Sequence, residues 1–126
     1  MQITKLKIFN FRSFGPFETT ITLKEMSIFI GSNSAGKTTA MQALIKIFGV
    51  YSKDCELVRT DFHVSPGINP EDISDSNLYV EAVIEFDELQ TAGNSGTGCI
   101  PQLFHQMVIN GQGEKPYVRV RLTATW

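Results

Sequence analysis

The chain has 126 residues, 42% hydrophobic and 19% charged, which suits one domain large enough for its own core. Its formal charge of −2 gives no global basic signal for nucleic acid, and no apolar run approaches the ~18 residues a membrane span needs. Cys55 and Cys99 lie far apart without a C-x-x-C pair, and His63 and His105 complete no metal pattern, so a cytoplasmic protein with reduced thiols is expected. The charge is uneven. Residues 1–46 hold six Lys or Arg against Glu18 and Glu25, and residues 71–88 hold seven acids and no Lys or Arg. Both runs read as solvated surface.

Residues 2–11 carry Ile3, Leu6 and Ile8 in a strand apolar on one side, and the N-terminus alternates where a signal peptide would be continuously hydrophobic. Residues 12–16 break it at Gly15-Pro16. Residues 17–23 alternate again, with Phe17, Thr19, Ile21 and Leu23 on one face, and the two segments read as an antiparallel pair. Residues 26–30, Met-Ser-Ile-Phe-Ile, predict a short apolar strand, and residues 39–48 predict a helix stopped by Gly49. Residues 50–77 form a long connection in which residues 59–64 are a short strand or a turn. Residues 78–86 predict a half-buried antiparallel strand. Leu78, Val80, Ala82, Ile84 and Phe86 take one face; Tyr79, Glu81, Val83 and Glu85 take the other. Residues 91–98 are a small-residue loop, residues 101–109 a helix or a strand, and residues 110–113 a turn leading to a strongly alternating strand over 117–126. The chain stops on that strand, so the expectation is a fragment of a longer protein.

Between the apolar segment and the helix lies Gly31-Ser-Asn33-Ser34-Ala35-Gly36-Lys37-Thr38-Thr39, which fits G-x-x-x-x-G-K-[ST]. Strand, glycine loop and helix is the context in which this pattern cradles phosphates. Backbone N–H groups of residues 33–38 point inward and the helix N-terminus adds partial positive charge. Gly31 and Gly36 let the backbone turn and approach. Lys37 is placed for the β- and γ-phosphates, and Thr38 for Mg²⁺.

Other patterns are weaker. Residues 83–88, Val-Ile-Glu-Phe-Asp87-Glu88, imitate the Asp-Glu strand that completes a P-loop ATPase. That strand is buried on both faces, however, and would enclose the Glu85 carboxylate without a partner. Residues 95–98 and 110–113 faintly match an ABC signature and are plain loops by position. Asp61 and His63, two apart, would share a face on a strand and could bind metal; without a third ligand they read as a hydrogen-bonded pair.

Residues 10–14, Asn-Phe-Arg12-Ser-Phe, followed about twenty residues later by a P-loop containing Asn33, resemble the N-terminal lobe of ABC-type ATPases of the SMC and RecF-like group. Residues 57–64, Leu-Val-Arg-Thr-Asp-Phe-His-Val, with Pro66-Gly67, and the 117–126 strand are similar to the OLD (overcoming lysogenisation defect) family of ATP-dependent endonucleases. The resemblance implies an α/β P-loop NTPase fold over residues 1–126: a partial ABC-type ATPase head with a mixed sheet containing antiparallel strands plus the P-loop helix. It implies a parent with a TOPRIM nuclease domain that cuts DNA with divalent metals, sometimes in phage defence, and ATPase heads that pair as a homodimer. It implies ATP and Mg²⁺ as ligands and Arg12 near the phosphates. The signature helix, the true Asp-Glu strand, the switch histidine and the TOPRIM acids are missing from these residues, so the chain alone is expected to bind ATP weakly, if at all, and not to turn it over. An SMC- or RecF-like repair ATPase without nuclease, and a non-catalytic module that binds a partner ATPase, are the alternatives.

Overall fold

A strand with one buried face needs a hydrogen-bonded neighbour and a cover on its apolar side. The computed structural model, which describes residues 1–33, 35–87 and 115–126, supplies both. Strands β1 (Gln2–Phe9), β2 (Thr19–Thr22), β3 (Asn77–Glu85) and β4 (Tyr117–Thr125) form one sheet in the order β2-β1-β3-β4. Every pairing is antiparallel, with Ile8 opposite Thr19 on one side and Val80 on the other, and Val80 opposite Leu122. Leu6, Ile8, Leu78, Val80 and Ala82 are fully buried on one face. Helix α1 (Lys37–Phe48) covers them, turning Thr39, Ala40 and Ala43 inward with Leu44 and Ile47 beside them. That is helical spacing, and the alanines let the helix lie close to the sheet. It starts two residues before the expected span and stops at Gly49 as read.

Four expectations are corrected. The described sheet is wholly antiparallel rather than mixed, because residues 26–30 do not join it. Of their apolar side chains only Phe29 packs on the core, while Met26, Ile28 and Ile30 are 82%, 75% and 90% exposed. A strand is defined by its partner, and no described residue pairs with this segment. Phe17, expected inward, is 83% exposed and precedes β2. Residues 59–64 are neither strand nor simple turn: Arg59–Asp61 is one turn of 3₁₀ helix, and Phe62 makes an isolated antiparallel bridge to Phe11. Finally, β3 is not half-exposed, because Glu81 is only 2% exposed on the outer face. Register explains this: Lys7 and Arg121 stand opposite Glu81 on the flanking strands, at 3.7 and 2.7 Å.

Ile3 and Leu6 are three apart, which breaks strict alternation. A β-bulge between Ile3 and Lys5 absorbs the extra residue and returns Leu6 and Ile8 to the core. At the other end, Trp126 closes the core, edge-on to Phe62 with ring centroids 5.3 Å apart and under the Arg59 guanidinium at 4.3 Å. The readings made for Ser34, Glu88, Cys99, His105 and residues 91–98, 101–109 and 110–113 lie outside the described residues.

Candidate functional site

The site begins where β1 ends. Asn10 and Arg12 both adopt left-handed backbone, with φ of 57° and 52°, a region that costs a non-glycine residue about 1–2 kcal/mol. Such a turn persists only if its surroundings hold it. The Arg12 N–H donates to the Asp61 carbonyl at 2.8 Å, and His63 Nδ1–H donates to the Arg12 carbonyl at 2.7 Å. The His63 N–H reaches the Asn10 carbonyl at 2.9 Å, and the Asn10 amide donates to Ser76 Oγ and the Asn77 carbonyl. Phe11, fully buried, anchors the turn in the core.

The turn points the Arg12 side chain toward the start of α1. Its Nε donates to Asp61 Oδ1 at 2.7 Å, its second terminal nitrogen lies 2.7 Å from the same oxygen, and the first donates to Gln42 Oε1 on α1. Ser13 Oγ donates to Thr39 Oγ1 at 3.0 Å, fastening the turn to the first turn of the helix. Asp61 is fully buried. Burial alone would raise its pKa, but the Val58 N–H, the Arg12 guanidinium and Lys46 Nζ at 3.4 Å together hold the carboxyl below its ordinary value.

The glycine loop forms the opposite wall. Gly36 caps α1 with φ of 83°, and no side chain caps that end nor any acid occupies its first turn. A Cβ at Gly36 would lie 3.2 Å from the Phe14 ring, so the position needs glycine for conformation and for space. Gly31 has no positive φ; there a Cβ would meet Ala35 Cβ at 3.1 Å. Lys37 Nζ donates to the Gly31 and Ser32 carbonyls, curling over the loop.

Arg12, Ser13, Asn33, Ala35, Gly36, Lys37, Thr38 and Thr39 line one cleft of about 540 Å³. Two cations, hydroxyls and an amide face it, and among the described residues no carboxylate does. This is an environment for an anion. Of the residues singled out in sequence, Gly31 holds Lys37 rather than lining the cleft, and Ser34 is not described. Asp61 and His63 do not converge as a metal pair or bond each other; both serve the Arg12 turn, and no group of three metal-binding side chains exists among the described residues. Asp87 is absent from the cleft and pairs with Lys115 at 2.8 Å. Sequence reading missed Ser13, Gln42 and Lys46. Gln42 and Lys46 share a helix face at i, i+4, the available clue.

A glycine loop that opens a helix beside a cationic cleft is the loop–helix half of the P-loop unit, while residues 26–30, the expected strand before it, pair with no described residue. A family model of the AAA ATPase domain matches residues 1–100. The chain belongs to that family, an SMC/RecF-like ABC-type ATPase group. No curated protein matches the chain significantly. Membership implies nucleotide binding, usually with Mg²⁺. The residues fit such a ligand: the Gly36 cradle is one a Cβ would fill, Lys37 is curled beside it, and Thr38 is an exposed residue lining the cleft. No described helix is long and apolar enough to cross a membrane.

Gly36→Ala places a Cβ against Phe14 in left-handed backbone. It should lower stability in urea unfolding by about 1–2 kcal/mol. An unchanged midpoint would mean that the loop has room the geometry denies it.

Proposed function

We propose that the cleft between the Arg12 turn and the glycine loop binds MgATP, and that the chain is the ATP-binding lobe of an ATP-dependent DNA endonuclease of the OLD type. The observation that carries the first part is the convergence of Arg12 and Lys37, 25 positions apart, on one cleft free of described carboxylates. Lys37 neutralises β- and γ-phosphate charge, backbone N–H groups of residues 33–38 bind phosphate oxygens, and Arg12 adds a second cation at the rim. Thr38 is the residue that would hold Mg²⁺, which when bound screens phosphate charge. Gly31, Asn33, Ser34, Ala35, Gly36 and Thr39 shape the cradle.

The OLD assignment rests on residues 57–64. The segment whose sequence resembles that family is also the one that clamps the Arg12 turn, through Asp61 and His63. DNA as substrate, pairing of ATPase heads, a cytoplasmic location and a role in phage defence follow from that resemblance and belong to the parent protein. The chain alone binds nucleotide without hydrolysis on this reading, since no described carboxylate stands in the cleft to polarise water.

Calorimetric titration with MgATP tests the first part. Saturable binding that survives replacement of Asp87 and Glu88 together by Asn and Gln supports it; loss of binding in that variant would show that the Asp-Glu pair belongs to the site. Incubating the organism's full gene product with plasmid DNA and ATP tests the second. Cleavage supports the endonuclease, whereas ATP turnover without cleavage makes the parent a repair ATPase of the same group.

A further inference from the structure

We propose that Asp61 is the positioning residue of the phosphate cleft, holding Arg12 so that its guanidinium presents a fixed edge to the anion; this rests on the nucleotide-binding reading above. A buried carboxylate beside a phosphate site is at first sight counterproductive, because it repels the ligand. Its surroundings remove the objection. Asp61 is fully buried behind Arg12 and does not line the cleft. It meets two cations, Arg12 at 2.7 Å and Lys46 at 3.4 Å, so the cluster keeps one net positive charge. What Asp61 adds is orientation. A free arginine samples many rotamers and loses that freedom when it binds. Here Asp61 Oδ1 takes Nε and one terminal nitrogen, while Gln42 takes the other. One edge of the planar fork is occupied by protein, and the remaining N–H donors serve the cleft.

The same residue fixes the main chain. The Asp61 carbonyl accepts the Arg12 N–H, and His63, two residues on, donates to the Arg12 carbonyl. Arg12 is thus held at its N–H, its C=O and its guanidinium by residues 59–63, which accounts for a non-glycine residue resting at a φ of 52°. The side chain remains 32% exposed, available to a ligand while restrained.

The test is a double-mutant cycle on the full chain, read by MgATP calorimetry, with the Arg12 Nε–H resonance followed by NMR. Asp61→Asn should weaken binding about tenfold, as should Arg12→Ala, and the double variant should bind no more weakly than Arg12→Ala alone. The Nε–H resonance, protected from exchange in the wild type, should lose its protection in Asp61→Asn. Multiplying penalties, or wild-type affinity in Asp61→Asn, would overturn the proposal. Should Asp61→Asn fail to fold, Arg12→Lys decides: it keeps the charge but lacks the planar group that engages Asp61 Oδ1 and Gln42 Oε1 together, so it should bind about as weakly as Arg12→Ala. Full affinity in Arg12→Lys would show that orientation is irrelevant. If the wild type itself does not bind MgATP, the nucleotide reading falls and the positioning role with it. If the wild type binds and depends on Lys37 while Asp61→Asn is unaffected, only the positioning role falls.

Discussion

Lys37→Ala should abolish measurable MgATP binding while leaving the fold intact. Among the described residues the lysine donates to the Gly31 and Ser32 carbonyls of its own loop, and no buried described carboxylate depends on it. Removing it therefore strands no charge in the core. In the bound state its ammonium would face phosphate oxygens in a partly enclosed cleft, where a charge-assisted contact is worth about 1.5–3 kcal/mol or more. That corresponds to a loss of at least roughly tenfold to a hundredfold in affinity. The prediction has two readouts. Calorimetry should show no saturable heat, and the unfolding midpoint without nucleotide should match the wild type. Retained affinity would place the ligand elsewhere.

Asp61→Ala should have the largest effect on stability. It removes the carboxylate between Arg12 and Lys46, the acceptor for the Val58 N–H, and a fully buried side chain at once. Breaking a buried ion pair by deleting one partner costs about 3 kcal/mol or more, because the other charges remain. Against a typical domain stability of about 5–15 kcal/mol that is a large share, and it should lower the melting temperature by roughly 10 °C. The pH dependence carries the same signature. The folded pKa of Asp61 is depressed below its ordinary 3.8, so its contribution is fully present above that value and is lost as pH falls through the folded pKa. An acid titration of stability should show this component in the wild type and a shallower fall below about pH 4 in Asp61→Ala. Equal acid sensitivity in the two proteins would mean that other carboxylates dominate.

What could be read from the sequence was what is local. Strands β3 and β4 alternate because one face of each lies on the sheet's covered side, and residues 77–85 and 117–125 occupy nearly the predicted spans. Helix α1 was legible from its apolar spacing and Gly49. The strand expected over residues 26–30 failed because pairing is not a property of the segment: the run is apolar, yet no described strand offers it an edge. Glu81 looked solvent-facing until the register set Lys7 and Arg121 against it. The glycine loop was visible because its residues are contiguous. The rest of the cleft was not, because Arg12, Gln42, Lys46 and Asp61 meet only through the packing of the β1 turn, α1 and the 59–63 segment. Asp61 and His63 read as a hydrogen-bonded pair, and each does form a hydrogen bond, but to Arg12 rather than to the other. On a strand they would share a face, but the 3₁₀ turn sends one to the Arg12 side chain and the other to its carbonyl.

Among the described residues, a second opening lies apart from the cleft at Arg12–Lys37. This opening, of about 500 Å³, is lined by Phe9, Asn10, His63, Asp72 and Asp75 among others, and its carboxylates disfavour an anion. The most direct test of the account is therefore an NMR titration of the isotopically labelled chain with MgATP. Amide shifts confined to Arg12, Ser13, Asn33 and residues 35–39, saturating with one Kd, are the predicted result. Shifts centred on Asp72, Asp75 and the end of β1, or no shifts at millimolar nucleotide, would contradict it.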